Sequence, residues 1–413
     1  MACLLDKRCF LWYFIVVKHV YKPKGKTYTD MNKEIYFDNA ATTVTDKDAA
    51  SVALELMCTF YGNPSSAHGK GLEAEHLLKK ARKSISSALG YSERDGYVCF
   101  TSCGTEATNM AFFGTHKLFS KRMDNIIISD SEHPSVENCA LELEKAGVTV
   151  HRIPTKGGVL DLDFAKNTMN DKTMLVSCML VNNETGAIYD IASLKKLRDT
   201  YAKNAYLHVD AVQGFTKLGK KLSFYRADLI SISGHKVHAP KGIGALYISK
   251  GVRTMPLLYG GGQENTLRSG TESLPLICAF GKACEIAVGD EKERIEKIKS
   301  LNSYTRELLK ETCPDVIINS KEDFAPNILS ISANGIRSEI MLRYLSDKGI
   351  YVSAGSACSS KHANNRVLSN FGLDDKTADS TIRISFSKYN TQDEVNALCS
   401  AISQGCKTLI HTV

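Results

Sequence analysis

Short apolar runs alternate along this chain with longer stretches in which polar and apolar positions are mixed. The runs Ile126–Ser129, Thr149–Ile153, Met174–Val181, Leu207–Val209, Leu229–Ser233 and Gly244–Ile248 read as buried strands. The mixed stretches Lys47–Tyr61, Gly71–Gly90, Val136–Gly147, Leu162–Asn170 and Ile191–Ala202 read as helices. Such alternation predicts an α/β fold whose mostly parallel sheet is flanked by helices on both faces. The pattern changes near Pro275, where a long charged helix, Asp290–Glu311, precedes mixed strands and helices. With 413 residues, more than one core is expected. The predicted organisation is an extension over 1–33, a large domain over 34–274 and a smaller α+β domain over 275–413, with residues 34–50 candidates to pack against the smaller domain.

Chemistry concentrates where predicted strands end. Asp228-Leu-Ile-Ser-Ile-Ser233 runs into Gly234, His235 and Lys236. A desolvated lysine of lowered pKa is the group that forms a Schiff base with an aldehyde; the other reading is a solvated lysine at a strand end. Asp210 closes Tyr206-Leu-His-Val-Asp210, either as a helix N-cap or as a carboxylate at a ligand-binding strand end. The two together suit pyridoxal 5'-phosphate, which takes a lysine for its aldehyde and an acid for its ring nitrogen. Tyr97–Phe100 reads as a strand and Ala107–Phe113 as helical. The turn Thr101-Ser-Cys-Gly-Thr-Glu106 between them is a phosphate-cradle pattern, with amides from Gly104 and Thr105. After the predicted strand Gly349–Ser353, Ala354-Gly-Ser-Ala-Cys358-Ser-Ser places a thiol among small residues. It is a candidate nucleophile or an ordinary loop cysteine.

These segments together resemble the cysteine desulfurases of the class V aminotransferase group, in particular the branch that supplies iron–sulfur cluster assembly. The matching stretches include Tyr36-Phe-Asp-Asn-Ala-Ala-Thr-Thr43, Gly62-Asn-Pro-Ser-Ser-Ala-His68, Ser131-Glu-His-Pro134 and Val181-Asn-Asn-Glu-Thr-Gly186. They continue through His208-Val-Asp-Ala-Val-Gln213, Ser233-Gly-His-Lys236, Gly260-Gly-Gly-Gln-Glu264, Arg268-Ser-Gly-Thr271, Ser353-Ala-Gly-Ser-Ala-Cys358 and Ile382-Arg-Ile-Ser385. The resemblance implies a PLP-dependent transferase of fold type I that converts L-cysteine to L-alanine and leaves sulfur on Cys358 as a persulfide. It implies that Lys236 holds the cofactor, Asp210 pairs with its ring nitrogen and His133 stacks on the ring. Gln213 and Asn183 are implied near the ring oxygen, with Asn183 also near the substrate carboxylate. Gly104, Thr105, Ser233 and His235 are implied at the phosphate, Thr271 reaching it from a second subunit of a homodimer. Arg383 is implied as the clamp on the substrate carboxylate. An iron–sulfur scaffold protein is implied as sulfur acceptor, with an LYR-type helper and frataxin as partners in eukaryotic members. Cys103 stands where the family usually has glycine, Asn265 where arginine is usual, and His238-Ala239 where Tyr-Gly is usual. These departures question the turn geometry and a detail of the subunit interface.

Composition narrows the setting. A net charge of +7, not gathered into a stripe, gives no reason to expect nucleic acid as a partner. No segment has the length of a transmembrane helix, so no membrane role is expected. The 13 cysteines are odd in number and scattered through predicted core segments, which points to a reducing compartment. No pair has zinc spacing, so no metal is expected. Residues 1–33 are basic, with Phe10-Leu-Trp-Tyr-Phe-Ile-Val-Val17 as an apolar block. This composition predicts targeting to a mitochondrion or mitochondrion-related organelle; a cytoplasmic location with an extension of no role is the alternative.

Overall fold

The computed structural model describes residues 34–354 and 365–410. The expectations about residues 1–33 and Cys358 lie outside these residues. In chain order, β1 (Ile35–Tyr36) is followed by β2 (Gly96–Thr101), β3 (Asn125–Ser129), β4 (Thr149–Ile153), β5 (Thr173–Met179), β6 (Tyr206–Asp210), β7 (Leu229–Ser233) and β8 (Gly244–Ser249). Then come β9 (Val316–Ile318), β10 (Ile328–Ala333), β11 (Ile350–Tyr351), β12 (Ser353–Ala354) and β13 (Thr381–Ser385). One seven-stranded sheet has the order β2-β8-β7-β6-β5-β3-β4. Its pairs are parallel from β4 to β7, and β8 alone runs against the rest. β3, β5 and β7 are buried at every residue. The runs of β3 and β5 therefore carry no period-2 alternation, as expected for strands covered on both faces, and in β7 Ser231 and Ser233 are buried along with Ile230 and Ile232.

The helix Gly69–Leu89 shows why a covering element forms. Ala74, Leu78, Ala81, Ile85 and Leu89 recur at helical spacing and are buried. His68 caps its start, accepting from the Gly71 amide, and Gly90 ends it at φ 91°. This helix packs against Leu274–Gly289. A Cβ on Gly281 would lie 3.0 Å from the Ala81 Cα, so only a hydrogen allows that approach.

The smaller unit is built on the antiparallel sheet β12-β13-β10-β9, with β1 paired in parallel to β11 at its side. Phe37 belongs to its core, whereas Ala40 and Ala49 belong to the large one. The boundary expected near Pro275 falls in the first turn of the helix Leu274–Gly289. Ile277, Phe280, Ala283 and Cys284 of that helix are large-domain core. The chain passes to the smaller core along the helix Glu291–Thr312, through Ile298, Leu301 and Leu309. The single strand expected over Gly349–Ser353 is two short ones, because β11 pairs with β1 and β12 with β13.

A buried ion pair locks the β2 edge. Glu264, 4% exposed, accepts from both terminal nitrogens of Arg82 at 2.8 Å, from the Phe100 amide at 2.9 Å and from the Tyr97 hydroxyl at 3.1 Å. The Arg82 guanidinium also lies 4.5 Å and 4.6 Å from the Tyr97 and Phe100 ring centres. Removing Glu264 leaves the mostly buried Arg82 guanidinium without its counter-charge. Glu264→Ala is therefore expected to lower the unfolding free energy by about 3–5 kcal/mol, read by urea denaturation, with Glu264→Gln losing less. Equal stability of Glu264→Ala and the unaltered protein would rule this out.

Candidate active site

β3, β5, β6 and β7 point their carboxyl ends to one side, and β2 runs the same way. In such sheets ligands bind beyond those ends. Lys236 sits in the short turn Gly234–Lys236 directly after β7. Its Nζ donates to the carbonyls of Ala40 and Ala41 at 2.6 Å each. Burial, with the Arg383 guanidinium next, lowers its pKa to about 8, while Asp38 and Asp210 pull the other way. A large fraction of Lys236 is therefore uncharged at mildly alkaline pH.

Asp210 ends β6. Its Oδ1 accepts from the Val212 amide at 2.9 Å; no helix follows, so it caps a turn. Burial raises its pKa to about 6, opposed by that bond and by Lys236. A buried carboxylate with no hydrogen-bonded cation of its own has room for a cationic N–H. Nearby Glu132 is different. Its Oε1 accepts from Ser129 Oγ at 2.6 Å and the Met179 amide at 2.8 Å, and its Oε2 has no partner. Burial pushes it up to about 8, with the Asp210 charge adding in the same direction. Glu132 thus keeps a proton near neutrality and Asp210 is the ionised member of the two.

The helix Gly104–Phe119 starts at the end of β2 with no side-chain cap from Cys103. Its first amides face the space beside Ser233 Oγ, which is buried and has no hydrogen-bond partner. A Cβ on Gly104 would sit 3.1 Å from Val212 Cγ2 and 3.2 Å from Ser233 Cβ, so glycine keeps this corner open. An uncapped helix N-terminus and an orphan hydroxyl together make an anion cradle. Thr105, next in the helix, is exposed. Cys103 has φ −170°, extended backbone that any residue adopts, so its departure from glycine leaves the turn intact. Asn265, at φ 56°, takes the left-handed conformation that asparagine tolerates well.

His133 caps the helix Pro134–Lys145. The Ser135 amide donates to its Nδ1 at 3.1 Å, so the neutral ring carries its hydrogen on Nε2. Desolvation by the surrounding walls, then the Lys236 ammonium, lower its pKa to about 4, although the residue keeps an exposed edge. His235 bonds Thr42 Oγ1 through Nδ1 at 3.2 Å, and its carbonyl accepts from Thr43 Oγ1 at 2.9 Å. Burial, then Lys236, holds it near a pKa of about 4. Gln213 Nε2 donates to the Ala40 carbonyl at 2.8 Å, and its Oε1 accepts from Lys217 Nζ at 3.2 Å. Arg383, on β13 of the smaller unit, reaches across to the Asn183 carbonyl at 2.8 Å and to Asp38 Oδ1 at 2.9 Å.

Lys236, Asp210, His133, Gln213, Ser233, His235, Gly104, Asn183 and Arg383 thus gather around one cleft. Thr271 is exposed, and no hydrogen bond within this chain ties it to them. Sequence reasoning passed over Asp38, Glu132, Glu184 and Lys217. The first three lie inside the recognised motifs, which was their available signal. Burial raises Glu184 to about 7, with Arg383 and Arg366 opposing, and lowers Lys217 to about 7. Among the described residues no cluster of His, Cys, Asp and Glu is arranged to hold a metal ion, and no helix is long and apolar enough to cross a membrane.

The model of the family described as aminotransferase class-V matches residues 35–398. A "NifS/IcsS protein homolog" of Lactobacillus delbrueckii is 39% identical over 90% of this chain and 96% of its own. A protein of Rickettsia typhi named "Cysteine desulfurase IscS" is 36% identical over 90% of this chain and 91% of its own. A solved structure titled "NIFS-LIKE PROTEIN" superposes with a TM-score of 0.86 at 36% identity, covering 91% of this chain and all of its own. With the match spanning both structural units and the strand ends that carry the cleft, this chain belongs to the class-V aminotransferase family.

Proposed function

We propose that this protein is a pyridoxal-phosphate-dependent cysteine desulfurase that converts L-cysteine to L-alanine and passes the sulfur to Cys358 as a persulfide, for iron–sulfur cluster assembly. The observation that carries the reading is the pairing of Lys236 with Asp210 at neighbouring strand ends, beside an uncapped helix start. The residues fit the cofactor. Gly104, Thr105 and the orphan Ser233 hydroxyl suit its phosphate, with His235 behind them. Asp210 suits its protonated ring nitrogen, and Lys236 its aldehyde.

Bound pyridoxal phosphate supplies an electron-accepting ring next to the substrate Cα. The remaining steps belong to the chain. Arg383 binds the substrate carboxylate through its guanidinium fork. Lys236 Nζ, uncharged, takes the proton from the substrate Cα. Asp210 holds its negative charge opposite the ring nitrogen, while Glu132 stays protonated and does not compete. His133 presents Nε2–H toward the cleft, where it stacks and donates. Cys358, as thiolate, attacks the substrate Sγ: the S–S bond forms as the Cβ–Sγ bond breaks, and the electron pair left on the carbon skeleton takes up a proton to give the methyl of alanine. A homodimer completes the phosphate site through Thr271, and an iron–sulfur scaffold protein is the sulfur acceptor.

The test is purification, a visible spectrum, and product analysis with L-cysteine. A yellow protein that forms alanine and sulfide in equal amounts with added thiol is expected. A protein that stays colourless after incubation with pyridoxal phosphate overturns the reading.

A further inference from the structure

The segment Asp38–Thr43 bonds Lys236, Gln213, His235 and Arg383. Ala40 and Ala41 hold Lys236 through their carbonyls, and Gln213 shares the Ala40 carbonyl. Asn39 Nδ2 donates to the Ser385 carbonyl at 2.8 Å, and the Ala40 amide donates to Ser385 Oγ at 2.8 Å, so the same segment is sewn to β13. Asp38, at its start, bonds Arg383 at 2.9 Å. One short piece of chain therefore links the lysine of the large unit to the arginine of the small one.

The state of that arginine points further. One terminal nitrogen is held by the Asn183 carbonyl and the other by Asp38. Each terminal nitrogen carries a second hydrogen that these bonds do not use. The two anchors fix the plane of the fork and leave donors for one more acceptor. The Asp38 carboxylate also lies near enough to Lys236 to favour its protonated form.

We infer that Asp38 is a positioning residue: its carboxylate sets the Arg383 fork for the substrate carboxylate. This inference rests on the reading of Arg383 as the substrate clamp. The other charged or titratable groups facing Lys236 are Asp210 and Arg383, with His133, His235 and Lys217 feeling its charge in turn. None of them shares the hydrogen bond to Arg383. Asp38→Asn keeps an acceptor for that bond but loses the charge, whereas Asp38→Ala loses both. The two variants therefore separate the hydrogen bond from the charge.

The experiment uses the cofactor-loaded protein with L-alanine as a non-sulfur ligand. It reads the L-alanine Kd by titration and the pH midpoint of the visible absorption without ligand. Asp38→Ala is expected to raise the Kd about tenfold or more, and Asp38→Asn by roughly threefold or less, as for loss and retention of a hydrogen bond to a charged group. Both variants are expected to move the absorption midpoint to lower pH, because both remove a negative charge beside Lys236. An Asp38→Ala protein that binds L-alanine as tightly as the unaltered one, or more tightly, overturns the inference; tighter binding would mean that Asp38 competes with the substrate. Should Asp38→Ala not fold, Asp38→Ser decides alone: its shorter hydroxyl loses the carboxylate bond to Arg383, and an unchanged L-alanine Kd in that variant also overturns the inference. Arg383→Ala is the control: if it keeps full affinity, the clamp reading fails and takes the inference with it. If it loses affinity while Asp38→Ala does not, only the inference fails.

Discussion

Lys236→Ala is expected to give a protein that folds, takes up pyridoxal phosphate weakly if at all, and turns over L-cysteine at least about 10³-fold more slowly. The size of the effect follows from the position. The lysine Nζ rests on the Ala40 and Ala41 carbonyls at 2.6 Å, with a pKa lowered to about 8 by burial and then Arg383. Among the described residues the other amine near it, Lys217, is half-buried and donates to Gln213 Oε1 at 3.2 Å. Removing the side chain also removes an ammonium that the Asp210 carboxylate faces. Asp210 should then bind protons more readily, so its titration should move upward in pH, the direction in which burial already displaces it. The measurement is a steady-state assay of alanine formation with a visible spectrum of the same sample. Retention of more than a tenth of the activity would show that another base removes the Cα proton.

Cys358→Ser is expected to separate sulfur transfer from everything before it. The variant should be yellow and should still show the spectral change on mixing with L-cysteine, since those steps use Lys236, Asp210 and Arg383. It should release no sulfide and carry no persulfide label on mass analysis. Cysteines held in the core are poor substitutes. Burial pushes the thiols of Cys139, Cys278 and Cys399 up to about 12, so they remain protonated at neutral pH. Alanine and sulfide formed by Cys358→Ser at the unaltered rate would instead indicate elimination of sulfur without a cysteine nucleophile.

Much of this was legible before any fold was seen. Apolar runs at β3, β5, β6, β7 and β8 alternate with helical stretches, and that order announced a mostly parallel sheet, against which β8 runs. Because ligands bind where such strands end, Lys236 after β7 and Asp210 at the end of β6 stood out once taken together. One helix end was also readable: the helix expected over Gly71–Gly90 ends at Gly90, which closes it at φ 91°.

What local pattern could not supply is what neighbours do to one another across the chain. Asp38 and Arg383 are 345 residues apart in sequence, and their bond exists only because β1 pairs with β11 while β13 lies beside Asp38. The domain boundary followed the same logic. Leu274–Gly289 joins the large core because Gly281 lets it meet Ala81 closely, a fit between two surfaces that neither segment declares alone. The protonation states of Glu132 and Asp210 are likewise collective. Both are carboxyls in apolar surroundings, yet one is held near 8 and the other near 6 by the particular donors and charges that the fold sets around each. The sequence by itself determined which chemical groups are present and which strand ends present them, because strand patterning and chain order are local. Only the tertiary structure decided which of those groups touch and which carry protons, because burial and hydrogen bonding are set by residues distant in the chain.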